Sequence, residues 1–378
     1  MLAAGTAAQA GFSAVLIGLP VLGPTIQDRY DLSLSEVGIA FASVWIGPIA
    51  TLLPWGLLAD RIGERIVLAT GLAGCGVLVA AAGWAGSFWL LIGLLTVAGA
   101  LGASVNAASG RAVMQWFSAR QRGFALGVRQ TAIPLGGATA GLALPAVNSA
   151  AGLKASFVFL GVVCMGCALL AGIAVREAAR SPVTLEAEDV EWTLRDRRLW
   201  ILSAGSSLYL VGQIALLSFF VLFLHDEHGL TEASAAAGLA MMQVGAVVTR
   251  ISAGRISDAL GARIRPLRWI GLASCGGVLL TAILTNAPVA VVLPVMVVAG
   301  AISMAWNGLS VTAAAELAGL ARSGAAIGFQ QTTLSVTGLI VPIAFASVVD
   351  STSWEAGFAL AATGPFLGWL LLGRLGDG

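Results

Sequence analysis

The stretch Gly56-Leu-Leu-Ala-Asp60-Arg61-Ile-Gly63-Glu-Arg65 is a short polar loop between two long apolar segments. A related stretch, Gly254-Arg-Ile-Ser-Asp258-Ala-Leu-Gly261-Ala-Arg263, follows 198 positions later, again between apolar segments. Both keep two glycines, one aspartate and a final arginine at the same spacing. A patterned loop that recurs between apolar segments predicts a membrane protein made of two related halves.

Two further stretches repeat in the same order. Residues 71–76 match residues 271–276 at an offset of 200, and residues 123–131 match residues 324–332 at 201. Three ordered matches predict two halves of six spans with the same topology, related by an axis along the membrane normal. In such folds the substrate site lies near the midplane, between the repeats. The predicted parts of the chain are an N-terminal bundle at 1–175, a cytoplasmic linker at 176–198 and a C-terminal bundle at 199–378.

The composition agrees with a chain that lipid surrounds. Of its 378 residues 58% are hydrophobic and only 10% are charged, and the mean hydropathy is +0.92. Soluble domains carry about 25% charged residues. The sequence therefore predicts an all-α membrane protein with twelve transmembrane helices in two pseudo-symmetric six-helix bundles. We expect a monomer, and a net charge of +1 without a long basic run gives no sign of nucleic-acid binding.

Charged or Gly/Pro/Asn-containing breaks divide the chain into twelve predicted spans. The apolar N-terminus lacks a basic n-region and a cleavage site, so we interpret it as the first span. With the N-terminus cytoplasmic, fifteen of the twenty basic residues lie in inside loops or the tail, and two lie outside. The positive-inside rule then predicts a multi-pass protein of a bacterial-type inner membrane with both termini cytoplasmic. The predicted spans are 4–25, 36–58, 66–85, 88–115, 123–146, 155–175, 199–224, 233–256, 268–286, 288–314, 324–348 and 355–373.

The first polar loop resembles the signature loop between spans 2 and 3 of the major facilitator superfamily. The second copy lies between spans 8 and 9, where that family carries a weaker version, and Trp116-Phe117 before Arg120-x-Arg122-Gly123 is similar to its span 4–5 junction. The resemblance implies that these loops latch one conformation of a rocker-switch cycle. The residues of this gating motif are Gly56, Asp60, Arg61, Gly63, Arg65, Gly254, Asp258, Gly261 and Arg263.

Departures from the family pattern bear on the substrate. Glu64 stands where the family usually has a basic residue. The arginine that many proton-coupled members carry shortly before Gly99 is replaced by Leu94, Leu95 and Thr96. These departures argue against a proton-driven drug exporter.

Two arginines are predicted deep inside spans. Arg250 lies eight residues before Asp258, and Arg129 lies seven residues after Arg122, which places them roughly 10–12 Å from the cytoplasmic surface. An arginine at mid-bilayer depth costs at least about 2.5–3.5 kcal/mol and usually marks a pathway or a partner. Arg111, close to an interfacial tryptophan, is expected to snorkel outward instead.

No acidic residue is predicted in the middle of a span, so the deep guanidinium groups predict an anionic substrate. The pattern Arg250-x-x-x-Gly254-x-x-x-Asp258 is similar to span 8 of oxalate/formate exchangers, monocarboxylate transporters and nitrate/nitrite porters, which implies contact with the anion. The alternative for Arg250 is latching with the signature loop. For Arg129, whose repeat counterpart is Gln330, the alternative is hydrogen bonding to carbonyls near Pro134.

Neutral polar residues inside the spans complete the predicted site. Ser13 and Gln243 share this character, although interhelical hydrogen bonding is an equally good use for such residues. The predicted substrate-binding residues are Arg250, Arg129, Gln130, Asn106, Gln9, Tyr209, Gln213, Asn307 and Gln331.

The sequence thus predicts a secondary transporter that moves a small, monocarboxylate-like anion by rocker-switch alternating access. Protons or a second anion are the expected coupling partners, and no cofactor or metal is expected. The alternative is proton-coupled efflux of drugs or hydrophobic metabolites. A membrane enzyme or a sensor fits less well, because the sequence shows no nucleophile constellation and no metal-ligand set. We interpret Cys164-x-x-Cys167 as packing residues, and His225 and His228 as residues of a solvated loop.

Overall fold

The computed structural model describes residues 2–116, 119–175 and 195–376, with side chains placed except at 2, 3, 60, 108–116, 119–128, 320 and 321. Within these ranges the chain forms helices joined by short turns. The predicted linker falls mostly at 176–194, outside the described residues, and the next long helix begins at Arg197 with Asp196 as its N-cap. The helices are Leu2–Val21, Gly23–Tyr30, Leu34–Ile62, Glu64–Ala82, Phe88–Trp116, Ala119–Ala174, Arg197–Asp226, Glu232–Leu260, Ile264–Ile283, Val289–Ser303, Trp306–Ser351 and Trp354–Leu372.

These helices make twelve membrane crossings, which we number as spans 1–12. Span 1 joins the first two helices, and Ala119–Ala174 contains spans 5 and 6. Span 10 joins Val289–Ser303 to the first turns of Trp306–Ser351, and the rest of that helix is span 11. Within the described residues, eleven helical stretches are long and apolar enough to cross a membrane, and the longest covers both span 5 and span 6. The predicted all-α fold of twelve spans is confirmed.

Two glycines make the sharp turns inside the longest helices. Gly152 has φ 76° and ψ 179°, and Gly319 has φ 73° and ψ 168°. Side chains with a Cβ rarely adopt these angles, whereas glycine adopts them without steric cost. The chain therefore reverses between spans 5 and 6 and between spans 10 and 11 with almost no loop.

The internal repeat is visible in matching hydrogen bonds. Thr51 Oγ1 donates to the Ala100 carbonyl at 2.9 Å between spans 2 and 4, and Thr249 Oγ1 donates to the Ala301 carbonyl at 2.7 Å between spans 8 and 10. The two threonines are 198 positions apart and the two alanines 201 apart, which are the offsets of the sequence repeat. We call spans 1–6 the first half and spans 7–12 the second half; the boundaries of the two bundles stay a prediction.

Side-chain contacts define the two ends of the helix assembly. At one end the Tyr30 hydroxyl donates to the Ala85 carbonyl at 2.9 Å, and the Ser35 amide donates to Asp350 at 2.7 Å. At the other end Arg263 pairs with Asp258 and Glu316. Following the predicted orientation, we call the first the outer end and the second the inner end. At the outer end, Ser35 and Asp350 come from different halves and join them.

Candidate functional site

Arg250 of span 8 lies at the contact between the two halves. Its side chain is only 8% exposed. Its Nε donates to the Met304 carbonyl at 3.0 Å, and its Nη1 donates to the backbone carbonyl of Gln130 in the first half. Its Nη2 is buried and has no hydrogen-bond partner among the described residues. Arg250 therefore joins the halves through Nη1, is held within its own half through Nε, and keeps the donors of Nη2 for another group.

Met304 can accept this hydrogen bond because span 10 is interrupted there. The helix that begins at Val289 ends at Ser303, and the next helix begins at Trp306. Carbonyls at the end of a helix have no partner within the helix, so they accept from side chains or ligands. In membrane proteins such interrupted helices are tolerated where the protein or a cavity covers them. The break thus provides the acceptor that fixes Arg250.

Two predicted site residues extend this network. Asn307 Nδ2 donates to the Met304 carbonyl at 3.2 Å and to Gln213 Oε1 at 3.0 Å. The Met304 carbonyl therefore accepts from both Arg250 and Asn307, and Gln213 orients the amide of Asn307. The structure brings together Arg250, Asn307 and Gln213, on spans 8, 10 and 7 of the second half.

Arg129 provides the corresponding charge in the first half. It is 6% exposed, and its Nη2 donates to Gln9 Oε1 of span 1 at 3.1 Å. Gln130, whose carbonyl accepts from Arg250, is the next residue in the chain and is itself buried. Arg250 of the second half therefore contacts the span 5 residue next to Arg129.

Arg250 has no acidic partner. Its hydrogen bonds go to backbone carbonyls, and the part of the chain that the structure describes contains no ion pair to it. A carbonyl offers a dipole but no net charge, so the positive charge of Arg250 is solvated without being neutralised. The arrangement is chemically suited to an anion that brings its own negative charge to Nη2.

Three predicted residues lie apart from this network. Tyr209 is buried within the second half, where its ring lies 6.3 Å from the ring of Trp306 and packs against Gly271 and Gly368. Asn106 and Gln331 are half-buried, and neither side chain hydrogen-bonds to the residues above. Among the described side chains, none of the three hydrogen-bonds to either arginine, and their part in the site stays a prediction.

Two buried glutamines carry features that the sequence did not assign. Gln330, the repeat counterpart of Arg129, is fully buried and donates to Ser310 Oγ at 2.7 Å within the second half. Gln243 is also fully buried, and neither its amide nitrogen nor its amide oxygen has a hydrogen-bond partner in the part of the chain that the structure describes. Its spacing of seven residues from Arg250 places both on one face of span 8 and was the available signal.

The predicted gating motif forms a charged cluster in its second copy. Arg263 Nη1 lies 2.6 Å from Asp258 Oδ1, its Nη2 lies 3.0 Å from Glu316 Oε1, and Nη1 also donates to Ser257 Oγ at 2.9 Å. Gly261 ends span 8 with φ 58°, a left-handed conformation that suits glycine. These contacts tie spans 8 and 10 together at the inner end.

The first copy of the motif is described in part. Arg61 and Arg65 are exposed, whereas Glu64 is only 5% exposed at the start of span 3. Gly63 has a positive φ of 95° and separates spans 2 and 3. The side chain of Asp60 lies outside the described side chains, so its predicted latching contact stays a prediction.

The comparisons with known proteins agree with the fold and with transport. The sequence profile of the Major Facilitator Superfamily matches residues 2–342. The uncharacterized MFS-type transporter Rv2994 of Mycobacterium tuberculosis is 32% identical over 354 residues, which cover 92% of this chain and 78% of the relative. The probable sulfoacetate transporter SauU of Cupriavidus necator is 24% identical over 91% of this chain and 86% of its own. The multidrug resistance protein MdtG of Proteus mirabilis is 27% identical over 68% of this chain and 65% of its own.

A solved structure shares the same architecture. The bacterial homolog of the human lysosomal transporter Spinster, in an inward-facing and occupied conformation, has a TM-score of 0.79. The superposition covers 99% of this chain and 95% of that one, at 15% sequence identity. At that identity the likeness shows the fold alone.

Proposed function

This chain belongs to the Major Facilitator Superfamily of membrane transporters, and we propose that it carries a small, monocarboxylate-like anion across the inner membrane. The observation that carries the proposal is the buried Nη2 of Arg250, which has neither a hydrogen-bond partner nor a counter-ion among the described residues. A hydrogen bond to a charged group contributes about 1.5–3 kcal/mol, and leaving a buried charged donor unsatisfied costs at least as much. An anion at Nη2 removes that cost.

Two further observations favour an anion of small size. Arg129, the residue before Gln130 in span 5, is a second buried positive group in the first half. Both guanidinium groups are nearly fully buried, which leaves little room for a bulky solute. A carboxylate or sulfonate group suits a guanidinium because its oxygens accept two parallel N–H bonds. The name of SauU describes transport of a sulfonated carboxylate by that relative and supports the same chemistry here.

The proposed mechanism is alternating access, in which the substrate links the two halves. Arg250 already bridges them through the Gln130 carbonyl, and an anion between Arg250 and Arg129 adds a second, charge-assisted link. The halves attract each other most strongly when this link is complete, so the occupied protein is the form that reorients. Exchange for a second anion, or entry of a proton with the anion, completes the cycle.

Efflux of drugs is the second candidate, and the match to MdtG is the observation that favours it. Arg250 argues against it, because hydrophobic cations and neutral drugs bring no negative charge to its buried guanidinium, which has no acidic partner among the described residues. The two functions make opposite predictions for the ligand. Anions bind under the first proposal, and hydrophobic cations bind under the second.

The test is ligand binding to the purified full chain. A thermal-shift screen with acetate, lactate, sulfoacetate and nitrate, beside hydrophobic cations and neutral sugars, is expected to give stabilisation by at least one anion. Arg250→Gln is expected to abolish that shift, while Arg255→Gln, an exposed arginine on the same span, keeps it. Stabilisation by cations alone, or an unchanged shift in the Arg250 variant, would reject the anion proposal.

A further inference from the structure

Spans 5 and 8 form a single antiparallel seam between the two halves. Arg250 meets the Gln130 carbonyl, Gln243 packs on Gly137, and Ala236 packs on Gly141 farther toward the outer end. The seam ends where Asn148 meets Glu232. The first two contacts and the last are in register, because from Gln130 and Arg250 the two spans run seven residues to the second contact and eighteen to the last, in opposite directions. Seven residues are close to two helical turns, so each span presents one continuous face to its partner.

The outer end of the seam is closed by a hydrogen-bonded latch. The Thr25 hydroxyl donates to Glu232 Oε2 at 2.8 Å, and Asn148 Nδ2 lies 3.1 Å from the same oxygen. Asn148 Nδ2 also lies 2.7 Å from Thr25 Oγ1. All three side chains are half-buried. Thr25 and Asn148 belong to the first half and Glu232 to the second, so the latch exists only while the two halves touch at the outer end.

The middle of the seam contains Gln243, whose buried amide contrasts with the hydrogen-bonded latch at the outer end. The side chain of Gln243 is fully buried, and no described residue forms a hydrogen bond with its amide nitrogen or its amide oxygen. A Cβ on Gly137 would lie 2.7 Å from Nε2 of Gln243 and 2.6 Å from Cδ1 of Ile17, which shows how closely the seam is packed there. A buried amide that has given up water without gaining a partner raises the free energy of the closed seam.

We propose that Glu232 and Gln243 act in opposite directions on the outer opening of this seam: the hydrogen bonds of Glu232 hold it closed, and the buried amide of Gln243 favours its opening. When the seam separates at the outer end, water reaches the amide of Gln243 and satisfies both of its atoms. The same separation breaks the three-residue latch at Glu232. The two features therefore act in opposite directions on one equilibrium and keep the closed and open forms close in free energy.

The proposal rests on the alternating-access cycle proposed above but not on the charge of the substrate. It assigns a role to Gln243 that differs from substrate binding, since that side chain packs against Gly137 and Ile17 within the seam. It also assigns a role to Glu232 within the transport cycle. The predicted span 8 begins at 233, so the sequence alone placed Glu232 in the outer loop that precedes it.

The test is a distance measurement across the outer end without substrate. Spin labels at Ser149→Cys and Ala233→Cys, both exposed positions beside the latch, are placed in a chain whose four native cysteines are replaced by alanine. In lipid nanodiscs, pulsed electron resonance then gives the populations of the closed and open outer end. Asn148→Ala is expected to raise the open population at least threefold, and Gln243→Met to lower it at least threefold.

The control is Asn286→Ala, an exposed asparagine at the outer end that lies outside the seam and is expected to leave the populations unchanged. Shifts of both seam variants in the same direction, or no shift in either, would overturn the proposal. If Gln243→Met does not fold, Gln243→Leu and Asn148→Ala still test the proposal. Anion binding is measured separately by thermal shift. Failure of the proposal for Glu232 and Gln243 can therefore be distinguished from failure of the proposed substrate.

Discussion

Arg250 of the second half donates a hydrogen bond to the backbone carbonyl of Gln130 in the first half, one residue after Arg129. This contact joins span 8 to the part of span 5 that carries Arg129. It also fixes Arg250 through a main-chain acceptor, which leaves its charge available to a ligand. The predictions below test this region and the features of the fold that support it.

Replacing Arg129 with lysine is expected to weaken anion binding by at least tenfold. Lysine keeps the charge but lacks the planar fork that binds an anion through two parallel hydrogen bonds. Calorimetric titration of the purified protein measures the effect, with the exposed Arg29→Lys as the control. Gln9→Ala, which removes the 3.1 Å contact to Arg129, is expected to weaken binding only a few-fold. Equal affinity in the Arg129 variant would remove this residue from the site.

Replacing Asp350 with asparagine is expected to loosen the outer contact between spans 2 and 11. Asp350 accepts from the Ser35 amide at 2.7 Å and from the Ser35 hydroxyl, close to the positive N-terminus of span 2. A carboxylate in that position contributes about 0.3–1 kcal/mol through the helix dipole alone. Faster hydrogen exchange at residues 33–37 is the expected readout. Glu355→Gln, an exposed acid at the same end, serves as the control and should leave those amides unchanged.

Replacing the matching threonines Thr249 and Thr51 with valine is expected to lower the stability of the protein by different amounts. Thr249→Val removes a hydrogen bond to the Ala301 carbonyl and is expected to destabilise the protein by about 0.6 kcal/mol. Thr51→Val is expected to cost less, because Trp55 Nε1 also donates to the Ala100 carbonyl, at 2.7 Å. Reversible unfolding of the purified protein compares the two. A larger loss of stability for Thr51→Val than for Thr249→Val would contradict this prediction.

Replacing Gly152 with alanine is expected to lower the melting temperature, with a cost of about 1 kcal/mol or more. The φ of 76° there places a Cβ in a strained conformation, although open space surrounds the site. Gly93→Ala is the matched control, since Gly93 lies within a helix and also has open space around it. Alanine at that position is expected to be neutral or stabilising. A loss at Gly93 as large as that at Gly152 would contradict the explanation by backbone strain.

Parts of the candidate site could be predicted from the sequence, and the reason is electrostatic. A guanidinium deep in an apolar segment is costly enough to demand a partner, so Arg250 and Arg129 were visible without coordinates. Gln213 and Asn307 were predicted only as polar residues on the right spans. Their grouping with Arg250 depends on the Met304 carbonyl, and a backbone acceptor leaves no trace in residue type.

The contacts of Tyr209, Gln243 and Glu232 could not be predicted from residue type either. Polar character placed Tyr209 in the predicted site, but its side chain packs between Gly271 and Gly368 inside the second half. Glu232 was assigned to an outer loop, yet the structure places it in the first turn of span 8 with two partners from the other half. Which way a side chain points around its helix decides such cases. Within an apolar span, periodicity alone distinguishes the lipid face from the packed face poorly.

The sequence by itself determined the twelve-span fold, the internal repeat and the superfamily, because a lipid solvent leaves a chain of this composition few ways to satisfy its backbone other than by spanning helices. Only the tertiary structure decided which polar atoms meet across the two halves. Those meetings depend on a helix break at Met304 and on the register of spans 5 and 8, and both arise from packing between segments far apart in the chain.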